Sequence, residues 1–155
     1  METDLAMQGT SSTAVQKMAQ TAKTRSSKLF FPNPRWGLAG YALCLVQATG
    51  YHADPPGEWF QHVEFTALNG GDCEDLSALL MSVLYLLGYE SRLVWIDQPG
   101  KPFNHVTLQV HLSDQWVWAE ASIEGSWLGE HPYDAMKRLS AYHKIAGRKD
   151  IASPK

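Results

Sequence analysis

Apolar residues in the segment 73–87 recur at three- and four-residue spacing, as Leu76, Leu80, Val83, Leu84 and Leu87. That spacing predicts an α-helix. Ala78, Leu79, Met81 and Leu86 fill its other sides, so the helix is apolar nearly all round and is expected to be buried. Gly88 marks its end. Upstream, Trp36, Leu38, Tyr41, Leu43, Leu45 and Val46 predict a second helix from about 36 to 49, with Gly50 as its stop. Cys44 falls inside that run and reads as core packing. Pro32 and Pro34 make the preceding stretch an extended lead-in. Downstream the period changes to two. A strand is predicted over 92–97. Over 105–112, Val106, Leu108, Val110 and Leu112 take one face, and His105, Thr107, Gln109 and His111 the other. Ser113 and Asp114 turn the chain, and 116–121 returns as a third strand. Pro132 suits the first turn of a last helix. A central helix followed by a short run of antiparallel strands makes the fold class α+β.

The long connection 51–70 carries turn signals at Asp54-Pro55-Pro56-Gly57 and room for a short helix over 58–68. It delivers the chain to Gly70-Gly71-Asp72-Cys73-Glu74-Asp75, where the candidate chemistry begins. Asp72 is a helix cap by type. Cys73 then becomes the first helical residue and, three before Leu76, faces inward. A thiol there meets the unpaired amides and the positive end of the helix dipole, a setting that favours thiolate. Its own amide is free to bind an oxyanion. His105 opens one predicted strand and Glu120 closes the next. A tight hairpin brings those two ends together, and the two side chains meet if they share a sheet face. Cys73, His105 and Glu120 thus supply a nucleophile, a base and an orienter for the base.

With Gly71-Asp72-Cys73-Glu74-Asp75 opening the helix, Leu86-Leu87-Gly88-Tyr89 ending it, a strand through Arg92-Leu93-Val94, and His105 fifteen residues before Glu120, the chain resembles the transglutaminase-like superfamily. Within it the nearest likeness is to bacterial and archaeal transglutaminase-like cysteine peptidases. The resemblance covers roughly residues 38–131, with one departure: the acid is usually Asp, and here it is Glu120. It implies a papain-like core in which the buried Cys73 helix packs on a small antiparallel sheet carrying His105 and Glu120. It implies acyl transfer through a thioester, with peptidase or amidase activity on a protein or peptide substrate. A protein-crosslinking transglutaminase and a non-catalytic protein-binding module on the same fold are the alternatives. By analogy with papain-like enzymes, Gln47 is a candidate second oxyanion donor, and Tyr51 another. Some members of similar motif bind calcium, which makes Asp72, Glu74 and Asp75 a candidate oxygen-rich site. The same three carboxylates crowd Cys73 and oppose a thiolate unless they are turned away. A zinc site on Cys73, His105 and Glu120 is the chemical rival to a triad, without the paired Cys or His spacing of structural zinc sites.

Composition narrows the rest. A length of 155 residues fits one domain. A net charge of −3 is too small to point to nucleic acid or an anionic membrane as partner. Cys44 and Cys73 do not form a disulfide framework, and no cofactor is expected. No apolar run has the length of a membrane span, and the acidic start Met1-Glu2-Thr3-Asp4 has no signal-peptide character. A cytoplasmic location is therefore the expectation, with oligomeric state open. Residues 1–28, rich in Ser, Thr, Gln, Ala and Lys, read as a disordered or loosely helical tail that could be removed without loss of stability. Residues 29–147 form the expected domain and 148–155 a flexible C-terminal tail.

Overall fold

The computed structural model describes residues 2–53, 61–97, 100 and 105–145. Its elements run α1 (Glu2–Gly9), α2 (Thr13–Ser26), α3 (Pro34–Gln47), α4 (Val63–Asn69), α5 (Cys73–Leu86), β1 (Ser91–Ile96), β2 (His105–Leu112), β3 (Gln115–Ala119) and α6 (Pro132–Ile145). The fold is α+β. The strands form one antiparallel sheet in the order β1-β2-β3, with β2 central.

Helix α5 is the hub. Every residue from Asp75 to Leu84 is buried, and α1, α2, α3, α4, β1 and β2 all pack against it. Leu76, Leu79, Leu80, Val83 and Leu84 are fully enclosed, each contributing about 1.5–3 kcal/mol of burial free energy. Leu80→Ala would open a cavity at the centre of that set and cost about 2–5 kcal/mol. The helix ends at Leu86, and Gly88 takes the left-handed conformation at φ 84° just beyond it.

The glycine pair ahead of α5 has a steric cause. Gly70 sits at φ 79°, and a Cβ there would fall 2.2 Å from the Gly50 carbonyl oxygen. A Cβ on Gly71 would lie 2.6 Å from an Asp75 carboxylate oxygen. Bare backbone at both positions lets the chain pass beside Gly50 and leaves room for the Asp75 side chain to turn back over the helix start. The parallel bridge Tyr51–Gly71, with His52 N–H donating to the Gly71 carbonyl at 2.8 Å, fixes the approach.

The β2–β3 hairpin turns on Ser113 and Asp114, both at positive φ (49° and 62°), the two-residue geometry that matches strand twist. Strand β2 is covered on both faces, with only His111 part-exposed, as a central strand should be. Strand β3 stops at Ala119, so Glu120 follows the strand rather than closing it.

Two expectations are corrected. Residues 2–26 are not a loose tail but two helices built into the core. Val15, Ala19, Ala22 and Ser26 form the buried face of α2. Ala6 of α1 is buried, and its carbonyl accepts from Ser82 Oγ of α5 at 2.6 Å. Small residues let these helices approach closely, so few large apolar groups are needed. Cys44 is not a core residue: it is exposed. The expected turn at 54–57 and the C-terminal tail fall outside the described residues, as does the start of the expected helix over 58–68. Among the described residues, no helix is long and apolar enough to cross a membrane.

Candidate active site

The start of α5 is fastened by its own carboxylates. Asp72 Oδ1 accepts from the amides of Glu74 (2.9 Å) and Asp75 (3.2 Å), while Asp75 Oδ2 accepts from the Asp72 amide at 3.2 Å. This reciprocal cap satisfies orphan donors of the first turn. Asp75, nearly fully buried, is held further by Gln61, whose amide N–H and Nε2 donate to it at 2.9 and 2.6 Å. The cap takes the amides of Glu74 and Asp75 and not that of Cys73, whose half-buried side chain opens the helix. The carboxylates of Asp72 and Asp75 are thus engaged in capping. Among the described residues, no group of three His, Cys, Asp or Glu side chains is arranged to hold a metal ion.

His105 is the first residue of β2 and is buried at 7% exposure. Its Nε2 lies 2.6 Å from Glu120 Oε2. Burial disfavours a charged ring. Hydrogen bonding from Cys73 and from Glu120, with the negative charge each can carry, overcomes that penalty and pushes the His105 pKa from 6.5 up to about 10. With Nε2 facing Glu120, Nδ1 is the ring nitrogen left for the thiol. The order in space is therefore Cys73, His105, Glu120, with the imidazole in the middle. A zinc ion bound by all three would require the ring to leave Glu120.

Glu120 is 0% exposed, and each carboxylate oxygen has a task. Oε2 faces the imidazole. Oε1 accepts from the Ser122 amide at 2.8 Å and Ser122 Oγ at 2.6 Å. A fully buried carboxylate is tolerated only when hydrogen-bonded and paired, and both conditions are met here.

The two oxyanion candidates part company. Tyr51 stays beside the site, bridged to Gly71, two residues before Cys73. Gln47, the last residue of α3, points its Nε2 at the carbonyls of Glu120 (2.9 Å), Ile123 (3.1 Å) and Ser126 (3.0 Å) and at Ser126 Oγ (2.8 Å). Four acceptors already share its two amide protons, so it is not a spare donor for an oxyanion. It also lines, with Phe31, Trp36, Tyr41 and Trp127, a groove of about 820 Å³.

Ser122 and Ser126 escaped the sequence reading. The first had a detectable signal: a Ser two residues after a buried acid can donate through both its amide and its hydroxyl. The second had none, because it enters through Gln47, 79 residues away. Gln109, on the same face of β2 as His105, accepts from Arg92 Nε and Nη2 at 2.9 and 2.7 Å. No protein-family model, no curated protein and no solved structure matches this chain.

Proposed function

We propose that this chain is a thiol-dependent acyl-transfer enzyme of the transglutaminase-like type, acting as a cysteine peptidase or amidase on a protein or peptide. One observation carries the reading. The buried Glu120 carboxylate, fixed by Ser122, holds His105 Nε2 at 2.6 Å, and Cys73 at the start of the buried helix is near enough to the same ring to help raise its pKa. An ion pair buried at a helix start, with a thiol on its open side, has a chemical use that packing alone does not require.

In this mechanism His105 Nδ1 takes the Cys73 proton, giving thiolate and imidazolium. The sulfur attacks the substrate carbonyl carbon, and the carbonyl π electrons move onto oxygen. The Cys73 amide is one donor to that oxyanion. Collapse breaks the C–N bond, and the leaving amine carries away the proton from His105. A thioester remains. Water, deprotonated by His105, attacks the thioester. The C–S bond breaks, the acid product leaves, and the thiol is restored. Glu120 keeps its charge throughout, fixing the tautomer and supporting the imidazolium. A lysine amine in place of water would give a protein crosslink from the same intermediate. The papain-like core follows from the same reading: the cysteine on the central helix, the histidine at a strand start, the acid after the next strand.

Iodoacetamide tests it directly. Cys44 is the more exposed thiol and Cys73 the less. Accessibility alone would label Cys44 first. The mechanism requires Cys73 to alkylate faster in the folded protein at neutral pH, read by mass spectrometry of the labelled peptides. Labelling of Cys44 first, with Cys73 silent until unfolding, would support the alternative of a non-catalytic binding module.

A further inference from the structure

We propose that Ser122 and Gln47 are positioning residues for the acid: Ser122 aims the Glu120 carboxylate, and Gln47 holds the backbone that carries it. The inference rests on the triad reading above. A glutamate has three rotatable side-chain bonds, and its two oxygens are equivalent until something distinguishes them. Ser122 distinguishes them. Its amide and hydroxyl both donate to Oε1, at 2.8 and 2.6 Å, so Oε2 is the oxygen presented to His105. The 2.6 Å hydroxyl contact has the length of a charge-assisted bond.

The backbone under that carboxylate belongs to no strand or helix. Strand β3 ends at Ala119, and α6 begins only at Pro132. The far part of that segment is tied to β3 by Gly129 N–H on the Trp118 carbonyl at 2.7 Å and to α6 by Arg138 Nη2 on the Gly125 carbonyl at 2.7 Å; the part that carries Glu120 is gathered by Gln47, which reaches across from α3. Three carbonyls converge on its one amide nitrogen. Ser126 Oγ accepts from the same nitrogen and donates to the Glu120 carbonyl at 2.9 Å. Gln47, Ser122 and Ser126 are all buried. Without the amide, three carbonyls would face one another across a buried space without a common donor. The turn 120–126 would open, and Glu120 would move with it. Neither residue touches the imidazole, so each acts through Glu120.

Full-length Ser122→Ala, Ser122→Thr, Gln47→Ala and Glu120→Gln variants decide the matter. The readouts are the NMR titration of the His105 ring, the pH profile of Cys73 alkylation, and melting temperature. Ser122→Ala should lower the His105 midpoint by about one pH unit and slow Cys73 alkylation at neutral pH by about 3–30-fold, as expected for one charge-assisted bond. Ser122→Thr keeps the hydroxyl and should return both within about twofold. Gln47→Ala should shift the midpoint the same way and also melt lower. Should it fail to fold, the Ser122 pair decides alone. A merely structural role would lower melting while leaving the His105 midpoint at the parent value. That result, with Glu120→Gln still altering both readouts, would overturn the proposal and leave the triad standing. Glu120→Gln indistinguishable from the parent would instead remove the triad itself.

Discussion

Glu120→Gln is the most discriminating single change, because the amide keeps the shape of the carboxylate and cannot keep its bonds. The parent side chain accepts on both oxygens: Oε1 from Ser122 N–H and Oγ–H, Oε2 from the imidazole at 2.6 Å. A glutamine offers one acceptor and one donor group. If its oxygen stays with Ser122, its NH₂ faces His105 Nε2. That nitrogen must then be bare, the ring proton moves to Nδ1, and the atom facing Cys73 no longer accepts a proton. If the amide flips, the NH₂ meets the Ser122 amide, and the two donors oppose each other inside the core. The hydroxyl can rotate away; the backbone N–H cannot. Either arrangement leaves a buried conflict costing about 1–3 kcal/mol, roughly one to two decades in rate at 1.36 kcal/mol per decade. Loss of the charge opposite the imidazolium adds to this, and we expect a total of about 10–10³-fold. The equivalent change in serine-type triads costs about 10⁴; a thiol depends less on its base than a hydroxyl does. The assay is the rate of Cys73 alkylation across about pH 5–10, with turnover of any substrate found. Because the ion pair is buried, a fall in melting temperature is expected too. Parent-like alkylation at every pH, with parent-like turnover, would refute the orienting role and reduce the site to a Cys73–His105 dyad.

Three further outcomes follow from the structure. The folded-state His105 pKa, about 10, lies above its ordinary 6.5, so its contribution to stability is complete below about pH 6.5 and is lost as pH rises toward 10; denaturant midpoints measured across that range should fall, and should fall less in Glu120→Gln. Removal of residues 1–28 should lower the melting temperature by more than about 10 °C or abolish folding, since it uncovers the Ala6, Val15, Ala19 and Ala22 surface on α5 and its neighbours; an unchanged melting curve would return that segment to the status of a tail. Calcium or a chelator should leave both melting temperature and Cys73 alkylation unchanged, because Asp72 and Asp75 are engaged by amides; a calcium-dependent rise in melting temperature would show a site that the capping geometry does not provide.

What could be read from the sequence was what local rules govern. The three-four spacing of Leu76, Leu80, Val83 and Leu84 placed the buried helix, Asp72 placed its first residue at Cys73, and strict alternation placed β2. The N-terminal helices were missed for a physical reason. Val15, Ala19, Ala22 and Ser26 keep helical spacing, but their hydrophobicity is low, and burial by close approach of small side chains leaves a faint pattern. Cys44 was misread for the opposite reason: its neighbours Leu43 and Val46 are buried, and an apolar run does not reveal which of its sides faces out. Gln47 reads from the sequence as an oxyanion donor, but its amide is taken up by three carbonyls 73 to 79 residues away, and nothing local to α3 announces them.

That Glu120 stands where the family this chain resembles usually carries Asp has a geometric account in the hairpin register. Leu108 pairs with Ala119, so extending the ladder by one step sets Glu120 opposite Thr107, not opposite His105. Glu120 and His105 then share a face, as required, but as diagonal neighbours. Directly opposed residues have Cβ atoms about 4.5–5.5 Å apart, whereas diagonal ones stand about 7–8 Å apart. An imidazole covers part of that span. The carboxylate must cover the rest, and the extra methylene of Glu is what allows contact at 2.6 Å. An Asp on the same backbone would fall short by about 1.5 Å, one C–C bond, leaving its oxygen near 4 Å, beyond hydrogen-bonding distance. It would also lose Ser122, whose donors are placed for the longer side chain. An aspartate could serve only if the 120–126 turn moved toward β2, and Gln47 holds that turn by three carbonyls. Register, clamp and residue type are therefore one constraint: with the backbone fixed where Gln47 fixes it, Glu reaches the histidine and Asp does not.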